Sequence, residues 1–141
     1  MRTEDAEQTR ALGEQLAASL RGGDVVVLAG DLGTGKTTIT QGIARGLGVA
    51  GVITSPTFVI AKIYAGRAAR VIHVDAYRLS SFGELDELDD EVFAPDAITI
   101  IEWGDAIASA LPEALQVTLA HDGDARIVTL DDRFAALEER T

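Results

Sequence analysis

The chain has 141 residues, 47% hydrophobic, 25% charged and 5% aromatic, which suits one compact domain over 1–141 with enough core to fold unaided. With no cysteine it excludes a disulfide framework, a thiolate zinc site and a cysteine nucleophile. Twelve Lys and Arg against 23 Asp and Glu give a net charge of −11, which excludes a broad basic face for nucleic acid, so an acidic ligand needs a local positive device.

The N-terminus, Met1-Arg2-Thr3-Glu4-Asp5, is polar and acidic, and no run reaches the ~18 apolar residues of a membrane span. A cytoplasmic protein with no membrane contact is expected. Over residues 5–21, Leu12, Leu16 and Leu20 recur four apart and predict one apolar helical face, with Gly22-Gly23 as the stop. Val25-Val26-Val27-Leu28-Ala29 is short, wholly apolar and closed by Gly30, the pattern of a strand buried on both faces.

Residues 30–37 read Gly30-Asp31-Leu32-Gly33-Thr34-Gly35-Lys36-Thr37. This is the full G-x-x-x-x-G-K-[ST] phosphate loop, between a strand and a helix predicted over 36–47. Glycines let successive backbone N–H groups converge on phosphate oxygens, and the helix start adds its unpaired amides and positive dipole end. Lys36 suits the β- and γ-phosphates, and the Thr37 hydroxyl suits magnesium. The alternative, a plain glycine-rich turn, does not need Lys-Thr at the helix start.

Beyond that helix, Ser55-Pro56-Thr57-Phe58 reads equally as a hydroxyl-bearing loop reaching the γ-phosphate region or as a proline-directed turn. Residues 57–64 and 70–75 are β-rich around Ala65-Gly66, which predicts an antiparallel hairpin. The acidic stretch 80–91 reads as a short helix with a solvated or partner-facing side. Residues 98–102 predict a buried strand, 104–111 a short helix ended by Pro112, 115–120 and 126–130 a closing strand pair around 121–124, and 131–140 a terminal helix. Together these give one α/β layer domain.

Two strand-ending acids, Asp75 and Glu102, stand where α/β ligands gather. A P-loop enzyme needs a carboxylate for the magnesium shell and a group that orients the attacking water or acceptor, so at least one of the pair belongs on the metal. His73, two residues before Asp75, reads as a structural histidine on the same strand face, and His121 as a solvated turn residue. Trp103 serves either the core or one wall of the site. Arg126 reads as a strand-surface arginine, with the nucleotide as its other candidate contact. The chain has no asparagine, so the Asn-Lys-x-Asp route to guanine is closed and adenine is favoured. A small-molecule P-loop kinase, the alternative class, would carry an arginine-bearing lid that no segment here resembles.

The phosphate loop with Thr38, then Ser55-Pro56-Thr57-Phe58, His73-Val74-Asp75-Ala76-Tyr77-Arg78-Leu79 and Ile101-Glu102-Trp103 resembles, over residues 9–112, the TsaE (YjeE) family. The resemblance implies a single P-loop NTPase domain with a mixed sheet, antiparallel hairpin additions and flanking helices. It implies a magnesium-dependent ATPase, alternating between ATP and ADP, that works with TsaD-like and TsaB-like partners. Their product would be threonylcarbamoyladenosine in tRNA beside the anticodon, with tRNA reached only through the complex. By position, Asp31, Leu32, Gly33, Thr34, Gly35, Lys36, Thr37, Thr38, Thr57 and Trp103 would contact the nucleotide. Thr37 and Glu102 would ligate magnesium, and Asp75 would be the catalytic acid near the γ-phosphate. Residues 84–88 fit the family's pattern, but Asp89 stands where a glycine is common.

Overall fold

The computed structural model describes residues 1–31, 33–50, 61–75, 94–102 and 114–134. In chain order these form β1 (Arg2–Thr3), α1 (Ala6–Ala17), β2 (Val25–Ala29), α2 (Lys36–Gly46), β3 (Ala61–Ala65), β4 (Arg70–Asp75), β5 (Ala97–Glu102), β6 (Leu115–Asp122) and β7 (Ala125–Leu130). The strands make one mixed sheet in the order β1-β7-β6-β2-β5-β4-β3. Its centre is parallel, with β2 flanked by β5 and β6 and β4 beside β5. Antiparallel hairpins extend both sides: β3 on β4, and β7 on β6 with β1 beyond it.

The central strands are apolar because both their faces are buried. Val26, Leu28, Ile98, Ile100, Val71, Val117 and Leu119 turn to one face, and there they join Leu12 and Leu16 of α1 and Ile39 and Ile43 of α2 in a single core. Val27, Ile72, Val74 and Ile101 occupy the alternate positions and are equally buried.

Asp5 caps α1 by accepting from the Gln8 N–H at 2.8 Å, and the Gln8 side chain in turn accepts from the Glu4 N–H at 2.7 Å. The helix stops at Ala17, earlier than the expected Gly22-Gly23 boundary. Ser19 and Leu20 bond three residues back, to Leu16 and Ala17, so the chain tightens out of the α form before it reaches the glycines. Helix α2 ends at Gly46, one residue short of the expected 47. Gly48 adopts φ 85°, its N–H bonds the Arg45 carbonyl, and the Val49 N–H bonds that of Ala44, the paired hydrogen bonds of a Schellman stop.

The two helices lie unusually close. A Cβ on Gly42 would sit 2.1 Å from the Arg10 carbonyl oxygen, and one on Gly13 would sit 2.5 Å from that of Ile39. That approach brings the start of α1 beside the start of α2. Among the described residues no helix is long and apolar enough to cross a membrane.

One expected hairpin differs in extent, and several expected helices lie outside the described residues. The β6–β7 hairpin runs farther than expected, with His121 and Asp122 still paired to Arg126 and Ala125 and only Gly123-Asp124 left for the turn. Strand β1 carries no pattern legible in two residues, and it exists because it pairs with β7. The helices expected over 80–91 and 104–111 lie outside the described residues, as does most of the one over 131–140.

Candidate functional site

The phosphate loop leaves the end of β2 and enters α2 at Lys36. Gly30 takes φ 149°, and a Cβ there would lie 2.5 Å from the Leu119 carbonyl oxygen and 2.8 Å from Thr34 Oγ1. Only glycine fits between the loop and β6. Thr34 is buried and donates from Oγ1 to the Asp31 carbonyl at 2.7 Å, closing the loop on itself. Gly35, at φ 101°, is the N-cap of α2 and supplies no side-chain bond to the helix amides. Those amides and the positive dipole end face the loop, as an anion site requires.

Lys36 is buried, and its Nζ donates to the carbonyls of Gly30 at 2.7 Å and Asp31 at 2.9 Å. A buried ammonium needs such partners. The loop thus holds a positive charge at its centre in a chain of net charge −11.

Strands β4 and β5 bring the two acids together. Their parallel register sets Asp75 opposite Glu102 at the strand ends. Glu102 is 2% exposed. Its Oε1 accepts from Thr37 Oγ1 at 2.8 Å, and its Oε2 lies 3.0 Å from His73 Nε2. Burial alone would raise the Glu102 carboxyl, but the contact with His73, the Thr37 hydroxyl and the charge of Lys36 outweigh it and hold it below the usual carboxylate range.

This donor set can be matched against magnesium and a nucleoside triphosphate. No group of three or more His, Cys, Asp or Glu side chains among the described residues could cage a metal ion. Magnesium seldom needs one, because it keeps several waters and takes one or two protein oxygens plus phosphate oxygens. An ionised carboxylate touching a threonine hydroxyl, next to a buried lysine and a glycine cradle, fits that description.

Of the sequence-predicted residues, the structure gathers Asp31, Gly33, Thr34, Gly35, Lys36, Thr37, Glu102 and Asp75 at one end of the parallel strands. Thr38 is half-buried and lines a small cavity of about 110 Å³ with Thr9, Gly33, Gly35 and Arg126. Leu32, Thr57 and Trp103, with the whole Ser55-Pro56-Thr57-Phe58 loop, lie outside the described residues.

Arg126 does more than decorate a strand surface: its Nη2 donates to the Gly33 carbonyl at 3.2 Å, tying β7 to the phosphate loop. Thr9, which lines that cavity, is hydrogen-bonded to Thr3, and this buried pair carries no motif in the sequence. Its only signal was hydroxyls at positions that a helix and a strand turn inward.

The profile of the family described as threonylcarbamoyl adenosine biosynthesis protein TsaE matches residues 3–128. The chain belongs to the TsaE family. It is 49% identical over 107 residues to the tRNA threonylcarbamoyladenosine biosynthesis protein TsaE of Streptomyces coelicolor, covering 74% of this chain and 72% of that one. With the Bacillus subtilis protein of the same name it shares 41% over 125 residues, 87% of this chain and 78% of the relative. The crystal structure of Bacillus subtilis YdiB superposes with a TM-score of 0.78 at 32% identity, covering 99% of this chain and 90% of that one. The sheet order, the loop after β2 and the acids on β4 and β5 accordingly make a P-loop NTPase fold of the TsaE type.

Proposed function

We propose that the chain binds ATP with magnesium and hydrolyses it as the ATPase of an assembly that makes threonylcarbamoyladenosine in tRNA. Its partners in that assembly are TsaD-like and TsaB-like proteins, and its place is the cytoplasm. The observation that carries the reading is the Thr37–Glu102 hydrogen bond directly beside the buried ammonium of Lys36. A turn that merely joined a strand to a helix would have no use for a buried lysine and a buried carboxylate.

Each residue then has a task. The loop amides and Lys36 bind the β- and γ-phosphates, and Thr37 and Glu102 hold the metal. Bound magnesium draws charge from the phosphate oxygens and fixes their orientation. Asp75, level with Glu102 on the next strand, orients the attacking water. Its carboxylate accepts a hydrogen bond from that water and holds it for attack on the γ-phosphorus.

Phosphoryl transfer gains further from positive charge around the γ-phosphate, often an arginine supplied by a partner. Among the described residues around the loop, the nearest arginine contact is that of Arg126, which is spent on the Gly33 carbonyl. The free chain is therefore a slow ATPase that its partners accelerate. Its net charge of −11 leaves tRNA recruitment to them as well.

The test is ATP turnover by the purified chain, alone and with TsaB-like and TsaD-like proteins, with no metabolite added. Turnover that rises several-fold only with the partners supports the reading. Turnover that instead requires a small-molecule phosphate acceptor identifies a kinase and overturns it.

A further inference from the structure

His73 is fully buried on β4, two residues before Asp75 and on the sheet face that carries Glu102. Its Nε2 lies 3.0 Å from Glu102 Oε2, and its Nδ1 has no hydrogen-bond partner among the described residues. A buried N–H left without an acceptor costs more than a bare ring nitrogen, so the ring's hydrogen belongs on Nε2, where it donates to the carboxylate. The Glu102 carboxylate thus has one oxygen on His73 and the other on Thr37.

We infer that His73 is a positioning residue: by holding Glu102 Oε2 it fixes the carboxylate plane and keeps Oε1 turned to Thr37, where magnesium would be held. The inference rests on the magnesium–nucleotide reading of this site. A histidine that only filled space could be replaced by any apolar side chain of like volume. An apolar side chain at 73 would remove the hydrogen bond from Oε2 of a 2%-exposed carboxylate and with it the contact that holds Oε1 toward Thr37. Residues that orient a metal-binding side chain in this way typically govern metal affinity by about 10–100-fold.

The experiment measures nucleotide affinity across a magnesium titration at fixed pH. The proteins are the wild-type chain, His73→Leu, His73→Gln and the double variant His73→Leu/Glu102→Gln, with Glu102→Gln as reference. The expected result is that His73→Leu loses about 10-fold or more in apparent magnesium affinity while its nucleotide affinity in EDTA is unchanged. His73→Gln, whose side-chain amide can also donate to Glu102, should recover most of the loss. The double variant should be no worse than Glu102→Gln alone, because the histidine acts only through the carboxylate.

A wild-type magnesium response that persists unchanged in His73→Leu would overturn this inference and leave the nucleotide reading standing. No magnesium response in the wild type would overturn both. Should His73→Leu fail to fold, ¹⁵N NMR of the wild-type imidazole decides: hydrogen on Nε2 with a resonance that moves in Glu102→Gln supports the positioning role. Hydrogen on Nδ1 instead, or no response to Glu102→Gln, refutes it.

Discussion

Asp75 and Glu102 stand directly opposite each other at the ends of two neighbouring parallel strands, yet they live in different surroundings. Glu102 is buried and bonded on both oxygens, to Thr37 and His73, whereas Asp75 is partly exposed. Parallel strands lie about 4.8 Å apart, so two acids at one level fall within reach of a single metal–phosphate cluster. The difference in burial is what the proposed division of duties rests on. A carboxylate locked by two hydrogen bonds suits a fixed ligand, and a more open one suits a group that handles water.

Charge-neutral substitutions should separate the two. Glu102→Gln is expected to weaken magnesium-dependent nucleotide binding, while Asp75→Asn should leave binding near wild type and lower turnover by about 10²-fold or more. Titration of magnesium against nucleotide affinity, paired with single-turnover hydrolysis, checks both. Loss of magnesium dependence in Asp75→Asn rather than Glu102→Gln would reverse the assignment.

The close crossing of α1 and α2 makes a second prediction. Gly42→Ala gains about 1 kcal/mol of helix propensity, but its Cβ would lie 2.1 Å from the Arg10 carbonyl, a backbone atom that cannot swing aside. Overpacking of that kind costs about 1–3 kcal/mol, so the clash prevails. A fall in Tm on the order of 5 °C is expected by calorimetry, and a rise would show that the helices can part without penalty.

Acid should release a specific contact at the end of the sheet. Arg133 donates to Asp131 and, with the Gln116 amide, holds its carboxyl at about 2, below the ordinary 3.8. A carboxyl lowered in the folded state adds stability that is full above its unfolded value and lost as pH falls through the folded one. The Tm gap between wild type and Asp131→Asn should be open at neutral pH and close between about pH 4 and pH 2. A gap that does not change over that range would count against the contact.

Much of the site was legible because its residues are adjacent in sequence. The loop from Gly30 to Thr37, the strand before it and the helix after it are one continuous signal, and the β3–β4 hairpin is another. Asp75 and Glu102 could be placed at strand ends because each closes an apolar run. What sequence could not show was register. That Glu102 faces both Thr37 and His73 depends on β5 lying between β2 and β4, a pairing of strands far apart in the chain. The same holds for Arg126, which meets Gly33 across 93 residues because β6 folds back beside β2. The end of α1 differs from the sequence signal for a local reason: the turn at Ser19 and Leu20 closes the helix before Gly22-Gly23.

The central claim is that this loop holds a nucleotide through Lys36, and isothermal titration calorimetry of ATP with magnesium tests it most directly. The wild-type chain should bind one ATP. Lys36→Ala, checked by circular dichroism for an unchanged fold, should lose at least about 2 kcal/mol of binding free energy, a factor of roughly 30 in Kd. Equal ATP affinity in the two proteins would contradict the account.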